Sequence, residues 1–216
     1  MGIYATVSKG FSPPSLSELH PSNGSFNDSV QPEHGWNYEL GIKGLIQHAG
    51  IQFDIAAYDF QLDDAIVKRS TATGDEFYVN AGSTKQAGFE AWVKWGISSN
   101  KSRQITELNI SHSFSYQPYR FIHYQVGNSN YDNHYLTGVP KNINVSTLEL
   151  KTKAGIYINS ILNMVSSIAL NDANSHFATG YQLLQLKLGY SFLCHKTHYN
   201  LYTGVDNLLD QKYSLG

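Results

Sequence analysis

His20-Pro21-Ser22 is the first grouping in the sequence whose residue types suit nucleophilic chemistry, because an imidazole beside a hydroxyl can take its proton. That chemistry needs both side chains on one strand face. Pro21 between them, followed by Asn23-Gly24, reads instead as a turn. Asp54, Asp59, Asp63 and Asp64 lack the glycine and glutamate spacing of a calcium loop. His195 and His198 have no third ligand nearby, and Cys194 is the only cysteine, so neither a zinc site nor a disulfide is indicated within the chain. What remains is recognition chemistry. Arg120, His123, Tyr124, Tyr131, His134 and Tyr135 bring a guanidinium, imidazoles and phenol rings into one stretch, a set suited to holding an anionic ligand by charge and stacking. Lys68 and Arg69 form a second basic pair, and His20 is an isolated loop histidine. The tyrosines and histidines equally suit a girdle at a membrane–water interface, where amphipathic rings collect.

The elements that must carry these residues read as strands. Alternation is plain at 36–46, where Trp36, Tyr38, Leu40, Ile42 and Ile46 oppose Asn37, Glu39, Gly41 and Lys43. It recurs at 51–57, 108–116 and 184–192, and more weakly at 3–9, 89–97, 143–152, 156–170 and 199–205. Short links at 47–50, 98–103, 153–155 and 193–196 alternate with long ones at 10–35, 62–79, 118–138 and 171–180. An antiparallel meander with its long loops on one side is the pattern of an outer-membrane barrel, and alternation alone also fits a soluble lipocalin-like barrel or sandwich. Composition favours the membrane. Charged residues are 15% of 216, against roughly 25% in ordinary soluble domains, and aromatics are 13%. No run of about 18 apolar residues occurs, so a transmembrane helix is excluded. A net charge of -2 disfavours nucleic acid as a partner. Such barrels close with an even number of strands, so about nine strands imply a fragment, and a chain that starts in a strand without a signal segment implies an upstream N-terminus.

Several motifs then resemble those of TonB-dependent outer-membrane receptors. Phe11-Ser12-Pro13-Pro14 with Ser15-Leu16-Ser17-Glu18-Leu19 resembles a strand-to-loop segment of their barrel, and Glu33 with Tyr38-Glu39-Leu40-Gly41-Ile42-Lys43 resembles the strand that follows. Residues 58–66 with Asn80-Ala81-Gly82 and Gly88-Phe89-Glu90 are similar to the next hairpin, Gly138-Val139-Pro140-Lys141 to a later strand start, and Asn207-Leu208-Leu209-Asp210-Gln211-Lys212-Tyr213 to a motif near the C-terminus. The resemblance implies an all-β up-and-down meander, with residues 1–216 being the C-terminal portion of a 22-stranded barrel that lacks its plug domain and final strand. It implies no catalysis and no resident cofactor or metal. The implied partners are a ferric siderophore or similar iron chelate, outer-membrane lipid, and TonB through the plug. Ligand contacts are expected at Arg120, His123, Tyr124, Tyr131, His134, Lys68, Arg69 and His20. Two alternatives stay open. A haem receptor of the same family would use a histidine near His20, although Asn27-Asp28-Ser29-Val30-Gln31 stands where the family's Asn-Pro-x-Leu is expected. His20-x-Ser22-Asn23-Gly24 is also similar to a motif of the small barrel of outer-membrane phospholipase A. Charges such as Glu39, Lys43, Glu90 and Lys187 should face a wet lumen, while Leu40, Ile110 and Leu186 face lipid. Gly41 and Gly88 should mark a bend or a close approach of the plug.

Overall fold

The computed structural model describes residues 1–20, 24, 26–70, 76–80, 82–98 and 104–214. In chain order its elements begin with β1 (Gly2–Ser12), α1 (Leu16–Leu19), β2 (Glu33–Ile46), β3 (Ile51–Asp63), β4 (Ile66–Ser70), β5 (Glu76–Asn80) and β6 (Ser83–Ser98). They continue with β7 (Ile105–Tyr116), β8 (Arg120–Ile122), β9 (Gln125–Val126), β10 (Ser129–Asn130), β11 (Asn142–Thr152) and β12 (Ile156–Val165). The last are β13 (Ile168–Ala169), β14 (Phe177–Ala178), β15 (Tyr181–Cys194) and β16 (Thr197–Val205). The wall is an antiparallel meander in the order β1-β2-β3-β6-β7-β11-β12-β15-β16, so each wall strand pairs with the next one along the chain. Every strand expected from the alternation is present, and the short and long links fall on opposite edges of the sheet.

Pairing register settles the two faces. The row Ala5–Leu40–Ala57–Phe89–Tyr116 and the row Trp95–Ile110–Leu148 lie on one face. Rows Thr6–Glu39–Tyr58 and Asn159–Lys187–Gly204 lie on the other, because directly opposed residues share a side. Leu40, Ile110 and Leu186 thus share the apolar face, whereas Glu39, Lys43, Glu90, Lys94 and Lys187 share the polar one. Polar residues interrupt the apolar band at His112, Asn144, Ser146 and Ser160, with His112 Nδ1 and Ser146 Oγ 2.9 Å apart.

Among the described residues no layer packs against this sheet. Leu40 is 60% exposed and Leu201 62%, while the buried hydrophobic residues Val30, Ala65, Phe121, Tyr124, Ile168, Ala169 and Ala178 all belong to the long-loop edge. A continuous apolar surface of this size is unfavourable in water and suited to hydrocarbon.

The strand glycines have a different cause from the one expected. A Cβ at Gly41 would lie 2.3 Å from Cζ of Tyr4, one at Gly88 2.4 Å from the Tyr58 hydroxyl, and one at Gly189 2.1 Å from Cζ of Tyr157. Each of these glycines is paired directly with the tyrosine that covers it. The missing side chain therefore makes room for the neighbouring ring on the polar face, and the ring covers backbone that glycine leaves bare. Elsewhere the sequence expectations are too simple at the loop edge. Residues 156–170 are not one strand: β12 ends at Val165, and β13 turns away to pair with β14. The link 62–79 holds the hairpin β4–β5.

Candidate functional site

The long loops form a bonded assembly at one edge of the wall. Ser15 N–H donates to Glu18 Oε2 at 2.6 Å, closing the first turn of α1. Glu33 Oε1 accepts the Ile66 N–H at 2.7 Å and fixes the start of the β4–β5 hairpin. Asn80 binds the first loop to that hairpin: its Oδ1 accepts from Gln31 N–H (2.7 Å) and its Nδ2 donates to the Gln31 (2.8 Å) and Asp64 (2.6 Å) carbonyls. Near the C-terminus, Asn207 exchanges hydrogen bonds with the Gln211 backbone at 2.9 and 3.1 Å. Leu208 N–H reaches the Leu184 carbonyl at 2.7 Å, and Tyr213 packs on Tyr181 with centroids 4.9 Å apart. The Pro140 carbonyl accepts from Gln117 Nε2 at 3.1 Å, and Phe11, Pro13 and Pro14 mark where β1 leaves the sheet at Ser12. The motif residues so placed build the edge of the wall.

The basic and aromatic cluster is distributed over three environments. Tyr124 is 1% exposed, stacks on Phe121 at 4.2 Å, and packs among Val67, Val79, Val126, Tyr131 and Leu136. Its hydroxyl donates to Asp172 Oδ2 at 2.7 Å, so its ring lies inside the assembly rather than on its surface. His134 and Tyr131 lie at the margin of this core, 5.6 Å apart and half-buried; His134 Nδ1–H donates to the Asp172 carbonyl at 2.8 Å. His123 is exposed, with a positive φ of 54°. Arg120 belongs to the opposite side. β8 continues the register of β7 along β6 (Phe89↔Tyr116, Lys85↔Arg120), which places Arg120 in the outward row with Lys85, away from Phe121 and Tyr124. Lys68 pairs with Glu76 at 2.6 Å, and that hydrogen bond holds its ammonium above the usual lysine range. His20 is exposed and lies 5.1 Å from the Phe26 ring. Ser22, Asn23 and the Arg69 side chain lie outside the described residues.

Asp172, which the sequence reading did not name, and Lys141, which it named only as part of a strand start, organise this edge. Asp172 accepts from Tyr124 and, through Oδ1, from the Thr137 hydroxyl at 2.7 Å, joining loop 117–141 to loop 166–180. Nothing local in Asn171-Asp172-Ala173 announces that role, which depends on contacts distant in sequence. Lys141 places its Nζ 3.5 Å from the Tyr135 ring centroid, and Arg120 donates to the Tyr135 hydroxyl at 2.7 Å. The nearby Lys141 ammonium outweighs burial and, with the Arg120 charge, holds the Tyr135 phenol below the usual tyrosine range. A 295 nm difference titration of the protein against Tyr135→Phe should show Tyr135 ionising ahead of the average tyrosine, and Lys141→Gln should return it towards that average. Titration with the bulk in both proteins would refute the assignment.

The polar face carries a depression of about 420 Å³ lined by Tyr4, Glu39, Asp54, Tyr58, Glu90 and Trp92. Tyr4 donates its hydroxyl to Glu39 Oε1 at 2.8 Å, and Lys43 Nζ stands 5.4 Å over the Tyr4 ring. Charges of both signs so arranged suit a water-filled passage. Among the described residues no cluster of acids, histidines or cysteine is arranged to hold a metal ion.

Residues 2–208 match the family described as TonB dependent receptor-like, beta-barrel. Solved structures agree at the level of fold. The siderophore receptor PiuA from Acinetobacter baumannii superposes with a TM-score of 0.75 at 18% identity, over 99% of this chain and 30% of that one. The copper transporter OprC gives 0.72 at 20% identity, over 98% and 32%. The ferric yersiniabactin uptake receptor FyuA from Yersinia pestis gives 0.69 at 19% identity, over 99% and 30%. The chain thus spans about a third of the length of these receptors. With its meander, its two-faced wall and the match over residues 2–208, the chain belongs to the TonB-dependent receptor β-barrel family, whose members are outer-membrane transporters rather than enzymes.

Proposed function

We propose that the protein carrying this wall imports a ferric siderophore or related iron chelate across the outer membrane. In this reading the long-loop edge captures the chelate, and passage follows the polar face through a lumen that a plug domain closes and TonB opens. The observation that carries it is the segregation of the structure: a wall apolar on one side and polar on the other, with bonded long loops on one edge only. The receptors of similar fold include proteins named for ferric siderophores, which supports an iron chelate over other cargo. At the loop edge His123, Tyr131, His134, Lys68 and His20 are the candidate contacts, since each is at least partly exposed. Tyr124 supports them from beneath, and the further strands that pair with the outer edges of β1 and β16 belong to the remainder of the barrel.

The test is uptake of radioactive iron by cells lacking their own receptors and expressing the full-length protein. Catecholate, hydroxamate, citrate and haem complexes are supplied separately. Accumulation of one chelate, abolished by an uncoupler and by deletion of TonB, is the expected result. Uptake of haem alone would favour the His20 alternative, and absence of energy-dependent uptake for every complex would overturn the reading.

A further inference from the structure

The apolar band of the wall is broken at mid-height on β7 and β11. At that level of the outward face the paired residues read Val93–His112–Ser146–Leu162–Leu184, so a histidine and a serine stand side by side with hydrophobic neighbours on both flanks. His112 is exposed on this face, and its Nδ1 lies 2.9 Å from Ser146 Oγ. Asn144, two residues before Ser146 in β11, and Ser160, diagonal to it on β12, extend the break. Among the described residues His112 Nε2, the Asn144 side-chain amide and the Ser160 hydroxyl have no hydrogen-bond partner. No Asp, Glu, Lys or Arg shares this face of β7, β11 or β12. Tyr116 is the outward aromatic at the loop-side end of β7, and His112 is four residues below it, about 13 Å along the strand and about 10 Å in depth at the tilt of such barrels. That depth is hydrocarbon, which offers neither donor nor acceptor, so the free polar groups cost energy until a protein surface answers them.

The surface that answers them must carry neutral donors and acceptors at the same depth, ringed by apolar side chains. The same face of a second copy does so by construction. A two-fold axis along the membrane normal keeps every residue at its own depth, and an axis between β7 and β11 sets His112 of one copy against Ser146 and Asn144 of the other, twice over. Imidazole, hydroxyl and amide each donate and accept, so the notch is complementary to itself. Val93, Phe114, Leu148 and Leu162 then form an apolar rim around it. We propose that β7, β11 and β12 form a self-association surface through which two copies of the receptor pair within the outer membrane, with His112, Ser146 and Asn144 at its centre. The inference rests on the membrane placement of the wall and is independent of which chelate is carried.

Cross-linking in intact outer membranes tests this with the full-length protein carrying one cysteine. Leu148→Cys stands beside the notch and leaves its polar groups in place, whereas Leu40→Cys lies three strands away on the same face. With a short bis-maleimide the first should give a species of two copies and the second none. Association is read separately by Förster transfer between differently labelled copies in vesicles as the protein-to-lipid ratio is varied. His112→Leu and Ser146→Ala should each weaken it about tenfold, because each removes two symmetry-related hydrogen bonds. Leucine suits a lipid-facing position, so the first variant reads association rather than unfolding, and the cross-link at 148 carries the test without altering the notch. Undiminished transfer in both variants would mean that the His112–Ser146 contact serves only its own wall, and would overturn the proposal. Absence of transfer in the wild-type protein, equal cross-linking at 40 and 148, or an adduct at 148 with a different protein in place of a second copy would also overturn it.

Discussion

Gly189→Val should destabilise the barrel wall by about 2–4 kcal/mol, although valine is ordinarily the better strand residue. A side chain at 189 meets the Tyr157 ring directly, with Cβ 2.1 Å from Cζ, so the ring must leave its place on the polar face. In leaving, it gives up the hydrogen bond from its hydroxyl to Asn200 Oδ1 at 3.0 Å, which links β12 across β15 to β16. With Tyr157→Ser beside it, the ring that the valine meets is gone, and glycine's intrinsic cost of about 0.5–1 kcal/mol in a strand becomes the dominant effect. The substitution should then stabilise. Urea unfolding of the full-length protein in detergent, run on both single variants and the double, reads this reversal of sign as a coupling energy. A valine that is neutral or stabilising with Tyr157 in place would show that the ring does not depend on the glycine. Tyr4 over Gly41 and Tyr58 over Gly88 offer the same experiment at other strand pairs.

Asp172→Ala is expected to leave the wall intact and release the loop assembly. The carboxylate accepts from the Tyr124 and Thr137 hydroxyls, both at 2.7 Å, and Tyr124 is almost wholly buried. Removing the acceptor takes the 2.7 Å hydrogen bond from a buried phenol hydroxyl, at a cost of about 1–3 kcal/mol. The effect should concentrate where the bonds are. Backbone amides of residues 119–136 should exchange about ten to a hundred times faster, while those of β2, β3 and β6 hold their wild-type rates. Asp172→Asn keeps an accepting oxygen and should fall between. Uniform exchange in Asp172→Ala would mean that the loop core is held by Phe121, Val67 and Val79 alone. If the loop edge captures a chelate as proposed, looser capture should accompany the faster exchange, because His134 and Tyr131 stand on this core.

The wall was legible because each of its strands presents one apolar and one polar face, which writes a period of two into the residues. Glu39, Lys43 and Lys187 against Leu40, Ile110 and Leu186 carry this signal plainly. The weak stretch 143–152 proved to be a full strand, β11; its contrast is low because Asn144 and Ser146 interrupt the apolar face. The loop edge was not legible for a different reason. The β4–β5 hairpin is stabilised by Phe121, some forty residues later, and β13–β14 by each other, so local propensity carries little of their stability. Grouping Arg120 with Tyr124 followed closeness in sequence, yet the alternation of β7 continues through Pro118 and sets Tyr116 and Arg120 on one face, Phe121 on the other. Carrying the period across the proline separates Arg120 from Phe121; Tyr124 would share the side of Arg120, and the turn at His123, with its φ of 54°, breaks the alternation before it. The glycines show the remaining limit: their positions are visible in the sequence, but the tyrosine that requires each one lies on the neighbouring strand.

The central claim is that one face of this wall meets lipid and the other meets water. Single cysteines at positions 39, 40, 43, 110, 186 and 187, in a Cys194→Ser background, can be spin-labelled in the full-length protein and reconstituted into bilayers. Collision with oxygen, which concentrates in hydrocarbon, is then compared with collision with a water-soluble nickel chelate. Labels at 40, 110 and 186 should meet oxygen and exclude nickel, and those at 39, 43 and 187 should do the reverse. The same water accessibility at all six positions, or the opposite assignment, would contradict the account.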